Sequence, residues 1–281
     1  MPQSLSLADR LLAPASNLMG RLRFSQKAML IGAAFTLTCG VLAGLVVTRS
    51  LGEISDARTA RAATVGLEIL HDAQLAMQDH RQLRARKLAN DTTATDEGLA
   101  EAAARADKAL AAFDSWRIRE GYDNQEVVDG VKATAAAWKK ALATEGEAGP
   151  DADSAALDAL RAQINAIAFE GITAIASDTV MLRGGEIGGI LLPELSAASA
   201  KQAIVGIRVL GEGAIWVSDR TELAVRKNMQ GYLTNQISDG RKYIEKELPE
   251  GAVLFGKPMS AALQAMEAQN KMIQEQILDA E

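Results

Sequence analysis

From Ala28 to Thr48 the chain runs through 21 residues without one charged side chain, directly after the basic residues Arg21, Arg23 and Lys27. At ~1.5 Å per residue a helix of that length covers ~30 Å, the thickness of a hydrocarbon core, and only a helix satisfies its own backbone there. The segment predicts a transmembrane helix. Every later part of the chain is then tethered to a bilayer.

Charge sets the direction of crossing. Residues 1–27 carry Arg10, Arg21, Arg23 and Lys27 against Asp9, so this short leader is net positive and is expected to stay cytoplasmic. Residues 49–281 are then expected in the periplasm, outside a bacterial inner membrane. A cleaved signal peptide would have an apolar core of only ~7–15 residues and a small-x-small cleavage site, which is missing here. Cys39 follows Leu37 and Thr38 as in a lipoprotein, but apolar residues continue beyond it, whereas a lipidated cysteine begins the mature chain.

Phe, Trp and Tyr supply 4% of the chain, and alanine is abundant, a composition that suits closely approaching helices and not a β-sandwich. The expected class is all-α: one transmembrane helix followed by an elongated periplasmic helical bundle, or two stacked bundles. Of the net charge of −6 the leader contributes +3, which leaves the exported part near −9. That balance argues against nucleic acid as a partner. The single cysteine permits no disulfide in the exported region.

Turn signals divide residues 49–281. One helix is expected from Arg49 to about Ala89, ended by Asn90, Asp91, Thr92 and Thr93. A second runs from about Asp96 to Thr144, with a break near Gly121 to Asn124. The stretch Glu145 to Asp153 reads as a loop, and Ser154 to Leu182 as a third helix. Gly184, Gly185, Gly188 and Gly189 then form a flexible joint; the strand and Gly-Lys-Ser/Thr that would make them a phosphate loop are missing. A fourth helix is expected from Pro193 to Trp216. Asp219 and Glu222, at capping-box spacing, open a fifth that ends near Leu248. The sixth starts near Pro258 and is still helical at Glu281, so the chain reads as the front part of a longer protein.

The most specific local pattern is a 3,4 alternation at Leu67, Leu70, Gln74, Met77, Arg81, Arg84 and Leu88. These positions share one seam of the first exported helix, and burying an unpaired guanidinium there is costly. Arg81 and Arg84 must therefore meet acidic partners, reach solvent near the helix tip, or receive an anionic ligand. The arginine fork fits a carboxylate bidentately, which points to a small organic acid. His80 and Lys87 flank the seam. His71 and His80 lie nine residues apart and miss the spacing of a helical zinc pair. Trp116, Trp138 and Trp216 read as core fillers or interface anchors. Gly40 and Gly44 form a GxxxG step in the apolar segment, a hint of a homodimer. The motifs of hydrolases, kinases and zinc enzymes are missing, so no catalytic residue, metal or cofactor is assigned and the chain is not expected to be an enzyme.

Three short stretches carry a resemblance. They are Gln78, Asp79, His80 and Arg81; Leu192, Pro193, Glu194 and Leu195; and Arg208, Val209, Leu210, Gly211, Glu212, Gly213 and Ala214. With a basic leader and one apolar helix before a long helical array, the chain resembles the N-terminal part of bacterial methyl-accepting chemotaxis receptors. The resemblance implies a periplasmic sensor that binds a small ligand and signals by helix displacement, with His80, Arg81 and Arg208 carried over as binding positions beside Arg84. In such receptors a second membrane helix, a HAMP linker and a methylated cytoplasmic hairpin come next, and the hairpin docks a kinase and a coupling protein. None of these is present in this sequence, so those partners would be reached only through a part outside this chain. The family pattern often has a Leu-Asp-Pro segment with a paired tyrosine where this chain has Gly184 to Gly189. Two other classes stay open: the input region of a membrane histidine kinase or nucleotide cyclase, and a membrane-tethered scaffold without a small ligand.

Overall fold

A computed structural model describes residues 24–249 and 257–278, and among these every regular element is helical. The expected leader therefore falls outside the described residues except for its last four, and so does the expected helical end at Glu281. The chain divides into two units, Met1–Ser55 and Asp56–Glu281.

In the first unit, helix α1 (Phe24–Leu88) begins, and it contains the whole of Ala28–Thr48. Side chains are described from Gly40 onward, where Val41, Leu42, Leu45, Val46 and Val47 are all more than half exposed. At 100° per residue these positions surround the helix, so its apolar surface has no polar side. Thr48 turns its hydroxyl back, donating to the carbonyls of Gly44 and Leu45 at 3.0 Å each, and so needs no water. Polar surface resumes with the exposed Arg49–Glu53 pair at 2.9 Å.

In the second unit, burial of α1 begins near Ala60 and runs along the anticipated seam: Leu70, Gln74, Met77 and Arg81 are buried, while Leu88 at the tip is exposed. Asn90, at a φ of 61°, turns the chain into α2 (Asp96–Glu120), where Thr95 caps the start by accepting from Gly98 N at 3.1 Å. Gly121, at φ 67°, ends α2, and Asn124 caps α3 (Gln125–Leu142). The anticipated break in the second helix lies there. A 3₁₀ turn, Gly146–Ala148, leads into α4 (Gly149–Ala174).

Three expected boundaries are corrected. The loop ends five residues early, because Pro150 is pre-set for a first helical turn and Asp153 lies within α4. The third helix stops at Ala174 rather than Leu182, since Asp178 restarts the chain as α5 (Thr179–Glu186) by accepting from Val180 N and Met181 N. The glycine segment is helix and not a joint: α5 passes through one π-helical turn, Ile187–Leu191, into α6 (Leu192–Glu212). Its glycines recur at i, i+1, i+4 and i+5, a spacing that gives a helix one bare face.

Gly213, at φ 62°, closes α6. Helix α7 (Val217–Glu247) starts two residues before the expected Asp219 cap. Asp219 is the third residue of the first turn, and its carboxylate accepts from Trp216 N at 3.0 Å. Helix α8 (Lys257–Ile273) passes into a π-helical turn, Gln274–Leu278.

Among the described residues, three apolar cores hold these helices. The first joins α1 to α4 through Leu70, Met77, Phe113, Trp116, Trp138, Leu160 and Ile164. Two of the three tryptophans are thus core fillers, whereas Trp216 is 64% exposed. The second joins Ile187 and Leu195 to Leu233, Ile237 and Ile244 of α7, with Met259 and Leu263 of α8 against it. A third gathers Val205, Leu223 and Ile273.

Among the described residues, one helix, Thr179–Val209, is long and apolar enough to cross a membrane, and it is not the segment expected from the sequence. Its apolarity has another cause. Ile187, Leu195, Ala198, Gln202 and Val205 are buried, and Arg183, Glu194 and Lys201 form ion pairs with Glu186, Arg161 and Asp158. A helix with one face buried and ion pairs along the margin of that face is a core helix of a folded unit.

Candidate functional site

The seam of α1 delivers two polar groups. Toward the tip, His80 is 4% exposed, Arg81 2% and Asp153 of α4 0%. The His80 ring faces Asp153 Oδ2 from Nδ1 at 3.3 Å, which requires the proton on Nδ1, and Arg84 NH1 donates to Asp153 Oδ1 at 3.4 Å. Arg84 NH1 also donates to the Ala141 carbonyl at 3.1 Å, at the end of α3, and so ties three helices together. Gly149 makes this possible: a Cβ there would come within 2.7 Å of Arg84 Cδ. The edge of His80 packs on Trp138 with ring centroids 5.0 Å apart.

Arg81 NH1 donates to Ser154 Oγ at 3.0 Å, while its buried Nε has no acceptor. Burial pushes this guanidinium below its ordinary value, opposed by the carboxylates of Asp153 and Asp158 and assisted by Arg226. Of the three fates open to Arg81 and Arg84, the structure displays an acidic partner for Arg84, shared with His80, whereas Arg81 is bonded to Ser154 and feels Asp153 and Asp158 only through their charge. Arg208 stands apart. Half exposed, it pairs with Asp219 at the start of α7.

Two of the stretches that carry the family resemblance are each hydrogen-bonded to a residue just outside the other. Ser196 Oγ donates to Gln78 Oε1 at 3.1 Å, and Gln74 Nε2 donates to the Pro193 carbonyl at 3.3 Å. Gly211 allows close approach of α6 to Ala89, where a Cβ would come within 2.7 Å of the alanine methyl. Gly213 supplies the left-handed cap. These positions thus have packing duties of their own.

The second polar group lies farther down α1, and it borders open space. A cavity of about 600 Å³ is walled by Ala60, Leu67 and His71 of α1, Ile172 of α4, and Gly184 and Gly188 of the glycine-bearing helix. Its volume falls within the ~300–1,000 Å³ of small-molecule sites. The glycines divide by role. A Cβ at Gly171 would lie 2.8 Å from Ala63, at Gly185 3.0 Å from Ile172 and at Gly189 3.0 Å from Ala168, so those three permit close helix contact. At Gly184 and Gly188 a Cβ meets nothing within 4 Å, so their missing side chains are the open space itself. An adjoining pocket of about 200 Å³ shares His71 and Gly188 and adds Gln74, Pro193 and Ser196.

Sequence reasoning passed over His71 as a ligand-contacting residue and placed Gln74 only on the seam. The available signal was the i, i+4 pairing of the glycines opposite an α1 that carries His71 and Gln74 one turn apart. Compared with known proteins, the chain matches no family model, no curated protein and no solved structure. The geometry of the site is therefore what bears on function.

Proposed function

We propose that this chain is the front part of a transmembrane chemoreceptor, anchored in the bacterial inner membrane by Ala28–Thr48. Residues 1–27 are cytoplasmic, and residues after 48 form a periplasmic sensor. The support for the anchor is the all-round apolar and exposed surface of α1 from Val41 to Val47, which water would penalise and lipid would not. The reading includes a homodimer through Gly40 and Gly44, where a Cβ would meet nothing within 4 Å.

The observation that carries the sensor reading is the cavity between α1 and the glycine-bearing helix. A small ligand there selects one packing of these helices over another, because it gains contacts only in the packing that fits it. Gly171, Gly185 and Gly189 bring backbones together with little side-chain interlock, so a displacement of ~1–2 Å costs little. Helix α1 is the element that both lines the cavity and contains the anchor.

The test uses the full chain in lipid nanodiscs, with Cys39→Ser and a cysteine pair at the cavity-lining Thr64 and Met181. Organic acids, amino acids and inorganic anions are screened for a rise in unfolding midpoint, then for a change in the rate of disulfide formation across the pair. The sensor reading requires at least one ligand that does both. It fails if every stabilising ligand leaves the cross-linking rate unchanged.

A further inference from the structure

The lining of the cavity is selective for charge. Among the described residues, Glu68 and Asp72 are its only charged ones, and neither Lys nor Arg borders it or the adjoining pocket. A carboxylate ligand would enter against two like charges with no donor fork to receive it. The forks of Arg81 and Arg84 are turned instead on Asp153, Ser154 and the Ala141 carbonyl.

The unsatisfied groups point the same way. Gln74 is 2% exposed, and its amide nitrogen is committed to the Pro193 carbonyl, which fixes the orientation of the side chain and leaves Oε1 as a buried acceptor without a donor. His71 Nε2 is likewise buried and unpartnered. Burial holds the imidazole below its ordinary value, with Asp72 opposing, so at neutral pH the ring is uncharged and Nε2 accepts when Nδ1 carries the proton. The Ser196 hydroxyl donates its hydrogen bond to Gln78 Oε1. The i, i+3 spacing of His71 and Gln74 makes them neighbours on α1. Two buried acceptors on α1, His71 where the two pockets meet and Gln74 in the wall of the smaller one, carboxylates among the lining and an apolar volume between helices describe one kind of guest.

We infer that the cavity and the adjoining pocket together form a binding site for a small amine whose apolar body fills the space left by Gly184 and Gly188 and whose ammonium, where the two meet at His71, donates to His71 Nε2 and Gln74 Oε1. Protonated, it brings N–H donors and a positive charge into a field set by Glu68 and Asp72. Its body replaces water against Ala60, Leu67 and Ile172. This deepens the sensor reading, and depends on it only for the helix displacement that the bound amine would cause.

The experiment compares three probes of one skeleton on the full chain in nanodiscs: 2-phenylethylamine, 2-phenylethanol and phenylacetate. Calorimetry and thermal shift are expected to show that the amine binds, the alcohol binds more weakly and the acid does not bind. Gln74→Leu keeps volume and removes the acceptor, so it should weaken the amine by about tenfold or more, the worth of a hydrogen bond to a charged group. Gly188→Leu and, separately, Gly184→Val place a Cβ where nothing lies within 4 Å and extend side chain into the cavity, so they should abolish amine binding while leaving the unfolding midpoint at or above that of the parent. Phenylacetate binding as well as the amine, no binding of the amine, or full amine affinity in both filled variants overturns the inference. Amine binding that leaves the Thr64–Met181 cross-linking rate unchanged upholds the site and counts against the sensor reading alone. Another ligand that shifts the rate while the amine fails to bind does the reverse.

Discussion

Asp153 receives His80 at 3.3 Å across 73 positions of sequence, and it does so while fully buried, with Arg84 on its other oxygen at 3.4 Å. One carboxylate thus stands between the imidazole of His80 and the guanidinium of Arg84, both carried into the protein by α1. Removing its charge leaves the largely buried Arg84 guanidinium without its carboxylate and takes a neighbouring negative charge from Arg81. Asp153→Asn keeps the size of the side chain, so its effect isolates charge, and a loss of about 3–5 kcal/mol is expected from breaking a buried pair on one side. Denaturant unfolding of the full chain in detergent micelles measures it. Lys242→Ala, which breaks the exposed pair with Asp239, is the control and should change little.

Two glycines in helix interiors should respond to alanine with opposite sign. At Gly66 a Cβ would lie 2.7 Å from the ring of Trp116, which is 1% exposed and packed between Phe113 and Tyr122. Gly66→Ala is therefore expected to cost ~1–3 kcal/mol through overpacking, more than the helix propensity it gains. At Gly206 in α6 a Cβ meets nothing within 4 Å, so Gly206→Ala should stabilise by ~0.5–1 kcal/mol. Thermal melts that move both variants the same way would contradict this packing.

The contrast between those glycines shows what the sequence made legible. The all-α class, the breaks near Asn90 and Gly121, and the buried run from Leu70 to Arg81 arise from periodicity and from residues that tolerate a positive φ. Local chemistry suffices for such features. It did not suffice for Gly184 to Gly189, because glycine marks a turn and a close helix contact with the same letter, and only the neighbours Ala168 and Ile172 decide between them. Asp153 was unreadable for a similar reason. It lies within a polar stretch with turn residues at Gly149 and Pro150, yet the fold carries it into the interior to meet His80 and Arg84, which are near it only in space. The cavity was less visible still, since it is made of side chains that are not there.

His71 predicts a pH dependence of stability. Its folded form holds a proton less readily than the ordinary value of 6.5 implies, because burial disfavours the imidazolium more than Asp72 favours it. The unfolded chain therefore binds the proton first as pH falls, and stability declines from the neutral side through that ordinary value toward the lower folded one. The acids that face the imidazole, Glu68 and Asp72, line the same cavity. Melting midpoints between about pH 8 and about pH 5 should fall further for the parent than for His71→Gln, which cannot take up the proton. Equal slopes would show that His71 is solvated rather than held neutral.

The direction of the membrane crossing is the expectation most exposed to refutation. It depends on a balance of Arg10, Arg21, Arg23 and Lys27 against Asp9, and such a bias orients a first helix with its basic end in the cytoplasm. In a Cys39→Ser background, a cysteine at Ser115 lies on an exposed face of α2, where the native hydroxyl does no more than donate to the Ala111 carbonyl. A membrane-impermeant maleimide should label Ser115→Cys in intact spheroplasts. A cysteine at Ser16 in the leader should react only after lysis. Labelling of Ser16→Cys alone would invert the topology and place the folded unit in the cytoplasm. Recovery of both variants in the soluble fraction would remove the anchor, and the exposed Val41, Leu42, Leu45, Val46 and Val47 would then need a protein partner to cover them.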